Sequence, residues 1–330
     1  MTLTSNGLPS ARGEISSGLI DALRDDPRRD GEMPVQAGRQ ADPYGDDLQL
    51  ALYLCYELHY RGIAGVQDRW EWNPALLELR GDLETRFLDA LRADVEPHPD
   101  VESALDVLLA EPVNGTGVSH FLRDEGQLWQ LREYAALRSL YHLKEADPEA
   151  WAIPRLTGQA KAGLVTVEYD EYGGGRADRI HSRLFADLMA DLGLDNRYGH
   201  YLEAGTAQML AVVNIMSLFG LNRSLRGALV GHYATVEVTS SPACRRLAEA
   251  MERAGAGPAA VRYYTEHVEA DAVHEQVVRR EVIGGLLKEE PELESDVVFG
   301  IDATAWVEDR FGDALLTAWR AGRSSLRVPL

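Results

Sequence analysis

The stretch YYTEHVEADAVHEQVV, residues 263–278, decides how this chain is read. It sets His267, Asp271 and His274 at i, i+4 and i+7. At about 100° per residue, these three fall within an arc of roughly 60° on one face of an α-helix. Two imidazoles and one carboxylate on a single face form the donor set of non-haem iron sites. A polar face turned to water has the same composition, so the triplet alone leaves both readings open.

The sequence on either side keeps the helical period. Amphipathic segments follow one another at about 118–147, 152–171, 177–193, 201–220, 223–250, 257–288 and 302–321, with short polar breaks such as GGG, LDNRYG and AGAGPA between them. Ahead of them, DDLQLALYLCYELHY, PALLELRGDLETRFLDALRAD and ESALDVLLA read as three further helices. Alternating β-branched runs are nearly absent, and no hairpin dipeptide separates two of them. The expected fold class is all-α. Residues 1–42 are rich in Gly, Ser, Pro, Asp and Arg and read as a flexible tail. EPVNGTG, residues 111–117, is the strongest internal break. It divides an N-terminal helical subdomain, 43–112, from a main domain, 113–330.

Composition narrows the partners. The 330 residues carry 33 basic and 53 acidic side chains and a net charge of -20, which argues against nucleic acid and anionic membrane surfaces. Cys55 and Cys244 are the only cysteines, and no CxxC occurs. A disulfide scaffold, an Fe–S cluster and a Cys-type zinc site are therefore excluded. The longest apolar run, Met209–Leu221, is interrupted by Asn214 and is too short to cross a bilayer. The N-terminal MTLTSNGLPSARGE lacks the apolar core of a secretory signal. A cytoplasmic protein is expected. The wide apolar faces of the N-terminal helices suit a homodimer interface.

A second group of candidate side chains lies upstream. Glu171 and His181 flank Gly173, Gly174 and Gly175. Three glycines in a helical pattern cost roughly 1 kcal/mol each relative to Ala, and either a bound group next to the backbone or an ordinary interhelix loop accounts for them. Asp178 and His181 form a D-x-x-H that echoes Asp271 and His274 and resembles ferritin-like bundles, although no Glu-x-x-His occurs. Glu145 ends LRSLYHLKEAD, and Glu237 lies between Val236 and Val238. Each is a helix-border residue or a buried acid that needs a partner. His59, His98, His120 and His200 have no ligand partner at helical spacing and read as structural.

Taken in order, Glu145, Glu171, His181, Glu237, His267, Asp271 and His274 resemble the ligand pattern of the haem-oxygenase-like diiron oxidases and oxygenases, the iron-containing redox enzyme family. LKEAD, DEYGGG and EVTSSP are similar to the family as well, and the likeness covers about residues 118–280. The resemblance implies a haem-oxygenase-like helical bundle with additional N-terminal helices. It implies that these seven residues hold two Fe ions, with Glu171 rather than Asp178 as the ligand on the second helix. It further implies O2 as co-substrate, an external reductant, and oxidation of a small metabolite through a peroxo-diiron(III) species. The outcome would be N-oxygenation of an amine or amino acid. Desaturation or C–C cleavage of an amino or fatty acid is an alternative, as is iron binding without turnover. Tyr141, His142, Asp178, His232, Tyr233 and Tyr264 stand near the ligand positions and are candidates to line a pocket or to hydrogen-bond the ligands.

Overall fold

The computed structural model describes residues 7–28, 33–110 and 115–330. Among these the chain is all-α, and one isolated bridge joins Gly7 to Ala64. The N-terminal helices are α1 (Glu14–Arg24), α2 (Val35–Gln40), α3 (Asp46–Glu57), α4 (Pro74–Asp94) and α5 (Val101–Leu109). The middle of the chain forms α6 (Val118–Asp124), α7 (Leu128–His142), α8 (Gly158–Glu171), α9 (His181–Asp191) and α10 (Ala207–Leu221). The remainder forms α11 (Arg226–Arg253), α12 (Pro258–Val277), α13 (Gly284–Glu289) and α14 (Glu294–Arg320), with a π-helical segment, Val278–Ile283, between α12 and α13.

The all-α expectation holds, and the bundle centres on α10. This helix is apolar all round, which suits a helix enclosed on every side. Asn214, which interrupts its apolar run, donates at 2.8 Å to the backbone and side-chain oxygens of Gln49 and so ties α10 to α3. Helices α11 and α14 cross closely because Gly231 and Gly300 meet there. A methyl group on Gly231 would strike the Val297 carbonyl, and one on Gly300 the Ala228 carbonyl. Helix α11 also continues through Pro242, which cannot donate to the Val238 carbonyl one turn back.

The expected tail needs correction. Helix α1 buries Ile15, Leu19, Ile20 and Leu23, and it packs on α3. Asp47 of α3 accepts from the Ile15 and Ser16 backbone N–H groups at 2.9 and 2.8 Å, capping α1 from outside its own sequence. Arg12 donates to the Leu202 carbonyl at 2.7 Å. The apolar period of α1 is there in the sequence, but Ser16, Ser17 and Gly18 dilute it, and its cap is 31 residues away in the chain. Within the expected tail, residues 1–6 and 29–32 lie outside the described residues, and so do 111–114 of the expected domain break.

The separate N-terminal subdomain is not seen as a separate core. Helix α3 packs on α10, and α5 packs on α11 and α14. His98 bonds Asp302 through its backbone N–H at 2.8 Å and its ring at 2.6 Å. The apolar faces that suggested a homodimer are covered within the chain, with Leu48, Leu50, Leu52 and Leu54 all buried. The expected single segment 118–147 is broken between α6 and α7 at Glu125–Gln127. No helix of the described residues is long and apolar enough to cross a membrane.

Candidate metal centre

Five stretches of chain bring the candidate ligands together. Glu145 follows the end of α7, Glu171 is the last residue of α8, and His181 is the first of α9. Glu237 comes from α11, and His267, Asp271 and His274 come from one face of α12. The glycine run explains how Glu171 and His181 meet. Gly173, Gly174 and Gly175 have φ of 71°, 61° and 80°, a left-handed turn that residues with a Cβ avoid. The Tyr169 hydroxyl donates to the Gly174 carbonyl at 2.8 Å. The turn reverses the chain and sets His181 Nδ1 2.7 Å from Glu171 Oε2.

All seven side chains are buried. Their donor atoms fall into two quartets. One is Glu145, Glu171, His181 and His267; the other is Glu171, Glu237, Asp271 and His274; within each quartet the atoms lie within 4.8 Å of one another. Glu171 belongs to both.

The nitrogen atoms fit a cation better than they fit each other. His267 Nδ1 lies 2.7 Å from the Tyr263 carbonyl, which only accepts, so Nδ1 carries the proton. That leaves His267 Nε2 as a buried lone pair with no hydrogen-bond partner. His181 Nδ1 has no hydrogen-bond partner either, despite its nearness to Glu171. Two donor atoms close together without hydrogen-bond geometry are what a shared ion requires. His274 Nδ1 sits among three acids, 3.2 Å from Glu237, 3.5 Å from Glu171 and 3.6 Å from Asp271.

The electrostatics carry the same strain. Burial, then the Glu145 carboxylate, push Glu171 well above the ordinary carboxylate range. Burial raises Glu237 to about 8 despite its hydrogen bond from His274. Burial disfavours a charged His274, but the surrounding Asp271, Glu237 and Glu171 carboxylates outweigh it and raise the imidazole to about 11. A proton on His274 thus does part of what a divalent cation would do among these acids.

Sequence comparison adds the chemistry. Residues 132–309, more than half the chain, match the family described as iron-containing redox enzyme. The chain belongs to that family. The chain is also 27% identical over 146 residues to nitrosourea synthase from Streptomyces achromogenes subsp. streptozoticus. That match covers 44% of this chain and 31% of the relative, so it spans under a third of the relative's length.

As an iron-containing redox enzyme, the chain has its ligand candidates held by further residues. The Tyr263 hydroxyl donates to Glu145 Oε2 at 3.2 Å, and His142 Nδ1 lies 3.3 Å from Glu145 Oε1. The Ser240 hydroxyl donates to Asp271 Oδ2. Beside the quartets lies a cavity of about 220 Å³. Tyr141, His142, Tyr233 and Tyr264 are among its lining residues.

Two expectations differ. Asp178 is exposed and pairs with Arg176 at 3.1 Å, because the glycine turn throws it outward. His232 is buried one layer away, 2.9 Å from the Thr304 hydroxyl and 3.6 Å from Glu149. The sequence reading passed over Tyr263, Ser240, Glu149 and Glu168. Tyr263 was the accessible one, since it stands four residues before His267 on the same helix face.

Proposed function

We propose that this oxidoreductase is a non-haem diiron enzyme that activates O2 and oxidises a small amine or amino acid at nitrogen. The observation that supports this most is Glu171, shared by two adjoining quartets of buried donors. A carboxylate common to two donor sets would let Glu171 help to hold both ions of a pair. Glu145, Glu171, Glu237 and Asp271 bring four negative charges, and two Fe(II) ions bring four positive ones. The loaded site would be neutral, which avoids the largest penalty for burying charge. The oxygen and imidazole donors suit iron better than a thiolate-preferring metal.

The iron pair, when bound, supplies the redox and Lewis-acid chemistry that reduces O2 and delivers oxygen to the substrate. The chain does the rest. Tyr263 and His142 hold Glu145, and Ser240 holds Asp271, so the acids stay aimed inward. The Tyr263 carbonyl fixes the His267 tautomer with Nε2 free. The cavity gives a substrate a place beside the quartets, walled by Tyr141, Tyr233, Tyr264, Met216 and Leu247. This favours turnover over iron storage. Nitrogen as the oxidised atom is supported by the streptomycete relative, whose named product carries oxygen on nitrogen. In the overall balance an amine, O2, two electrons and two protons give a hydroxylamine and water, with an external reductant as electron source.

The test is anaerobic Fe(II) loading of the full chain, then exposure to O2 with a panel of amines and amino acids. Two irons per chain and a product heavier by one oxygen, labelled from ¹⁸O2, are expected. A product lighter by two hydrogens would indicate desaturation instead. Bound iron with no consumption of any candidate would sink the proposal in favour of a non-catalytic iron protein.

A further inference from the structure

The cavity wall carries one acid with no assigned task. Glu145, Glu171, Glu237 and Asp271 reach the wall and converge on the quartets. Arg138 and Glu308 also line it, and they pair with each other through two hydrogen bonds of 2.7 and 2.6 Å. Glu149 remains. It is 1% exposed, and neither of its carboxylate oxygens has a hydrogen-bond partner. The nearest cationic candidate is His232 Nε2, 3.6 Å from Oε1, which is beyond hydrogen-bond length and also without a partner. The buried Tyr233 hydroxyl on the same wall lacks a partner too. Buried polar groups of native proteins are almost always satisfied, so a cluster left open beside a cavity is a place prepared for a ligand.

The sign of that ligand follows from what is already paired. Arg138 is the one Lys or Arg on the cavity wall among the described residues, and Glu308 consumes its charge. A carboxylate-led substrate would find no free Lys or Arg there. An ammonium or guanidinium would find the Glu149 oxygens without a hydrogen-bond partner, with the Tyr233 hydroxyl as a neutral acceptor on the same wall.

We infer that Glu149 anchors a cationic nitrogen of the substrate, and that the cavity selects an organic cation, an amine or guanidine, over a fatty acid or other anion. This rests on the diiron reading for the fate of the bound cation, whereas the anchoring itself does not need iron. Glu149 is then a specificity-determining residue outside the ligand set.

Four probes of similar length separate the cases: butylammonium, butylguanidinium, 1-pentanol and pentanoate. Their binding to the full chain would be measured calorimetrically, iron-loaded and metal-free, for wild type and Glu149→Gln. The cations should bind at least tenfold tighter than pentanol and pentanoate. Glu149→Gln should lose that preference while keeping the wild-type iron content. In the metal-free chain the quartet acids also attract cations, so the deciding number there is the ratio of wild type to Glu149→Gln. Pentanoate binding as tightly as butylammonium overturns the inference, as does unchanged cation binding in Glu149→Gln. Failure to load iron with the wild-type preference intact supports the anchor and removes the diiron reading. Iron loading without a cation preference does the reverse.

Discussion

Glu168 and Glu171 lie three residues apart on α8 and are 2% and 4% exposed, yet their surroundings differ. Glu171 stands among the nitrogens of His181, His267 and His274, whereas neither oxygen of Glu168 has a partner. Glu145 and Glu149 repeat the contrast beyond the end of α7, the first held by Tyr263 and His142, the second unpartnered. Burial is the same in both sets, so burial does not mark a metal ligand. The mark is convergence of imidazole and carboxylate donors on a common point, and it comes from chain geometry beyond any single helix. The two sets therefore answer differently to substitution.

The largest difference is expected in metal content. After anaerobic Fe(II) loading, Glu171→Ala should drop from two irons per chain to nearly none, because both quartets use that carboxylate. Glu168→Gln should retain both. Equal losses in the two variants, measured by iron analysis of folded protein, would erase the distinction between ligand and bystander.

The next effect is half as large and tests the division into quartets. His181→Ala should remove one iron and His274→Ala the other, leaving about one per chain in each case. Complete loss from either substitution would show that the quartets do not load independently.

The seven converging side chains were legible in the sequence because resemblance to a known pattern supplies what spacing cannot. Helical arithmetic alone put His267, Asp271 and His274 on one face, and it could not say that Glu145 or Glu237 would meet them. Asp178 was misread for the same reason. Its spacing to His181 is helical, but the residues before α9 are a left-handed glycine turn, and that turn sends it into solvent. Helix α1 was missed because its cap, Asp47, belongs to another helix. The unpartnered acids were not readable at all, since an absent partner is a property of three-dimensional packing.

A smaller effect probes what holds the ligands. Tyr263→Phe removes the hydrogen bond to Glu145 and leaves the ring packed against His267, 4.4 Å between centroids. Iron affinity should fall about 10–100-fold, with the stoichiometry restored at saturating Fe(II). The adjacent Tyr264→Phe should change affinity little, and equal effects from both tyrosines would remove Tyr263 from the support of Glu145.

The smallest effect concerns Glu168 and the cost of leaving an acid without a partner. Burial, then Glu149 and Glu171, push its carboxyl from 4.5 up to about 10. A carboxyl raised in the folded state contributes its full stability below 4.5, and that contribution drains away as pH climbs toward 10. The unfolded chain ionises freely across that window while the folded chain resists. Glu168→Gln has the same shape and cannot ionise, so it should match wild type near pH 5. By pH 9 it should melt higher, by about 1–2 °C for each kcal/mol of difference at this chain length. The comparison belongs in the metal-free chain, because cations on Glu171 and Glu237 would remove part of the negative field that acts on Glu168. Parallel melting curves across this range would mean that Glu168 has found a partner, and the contrast with Glu171 would then lie in the identity of that partner.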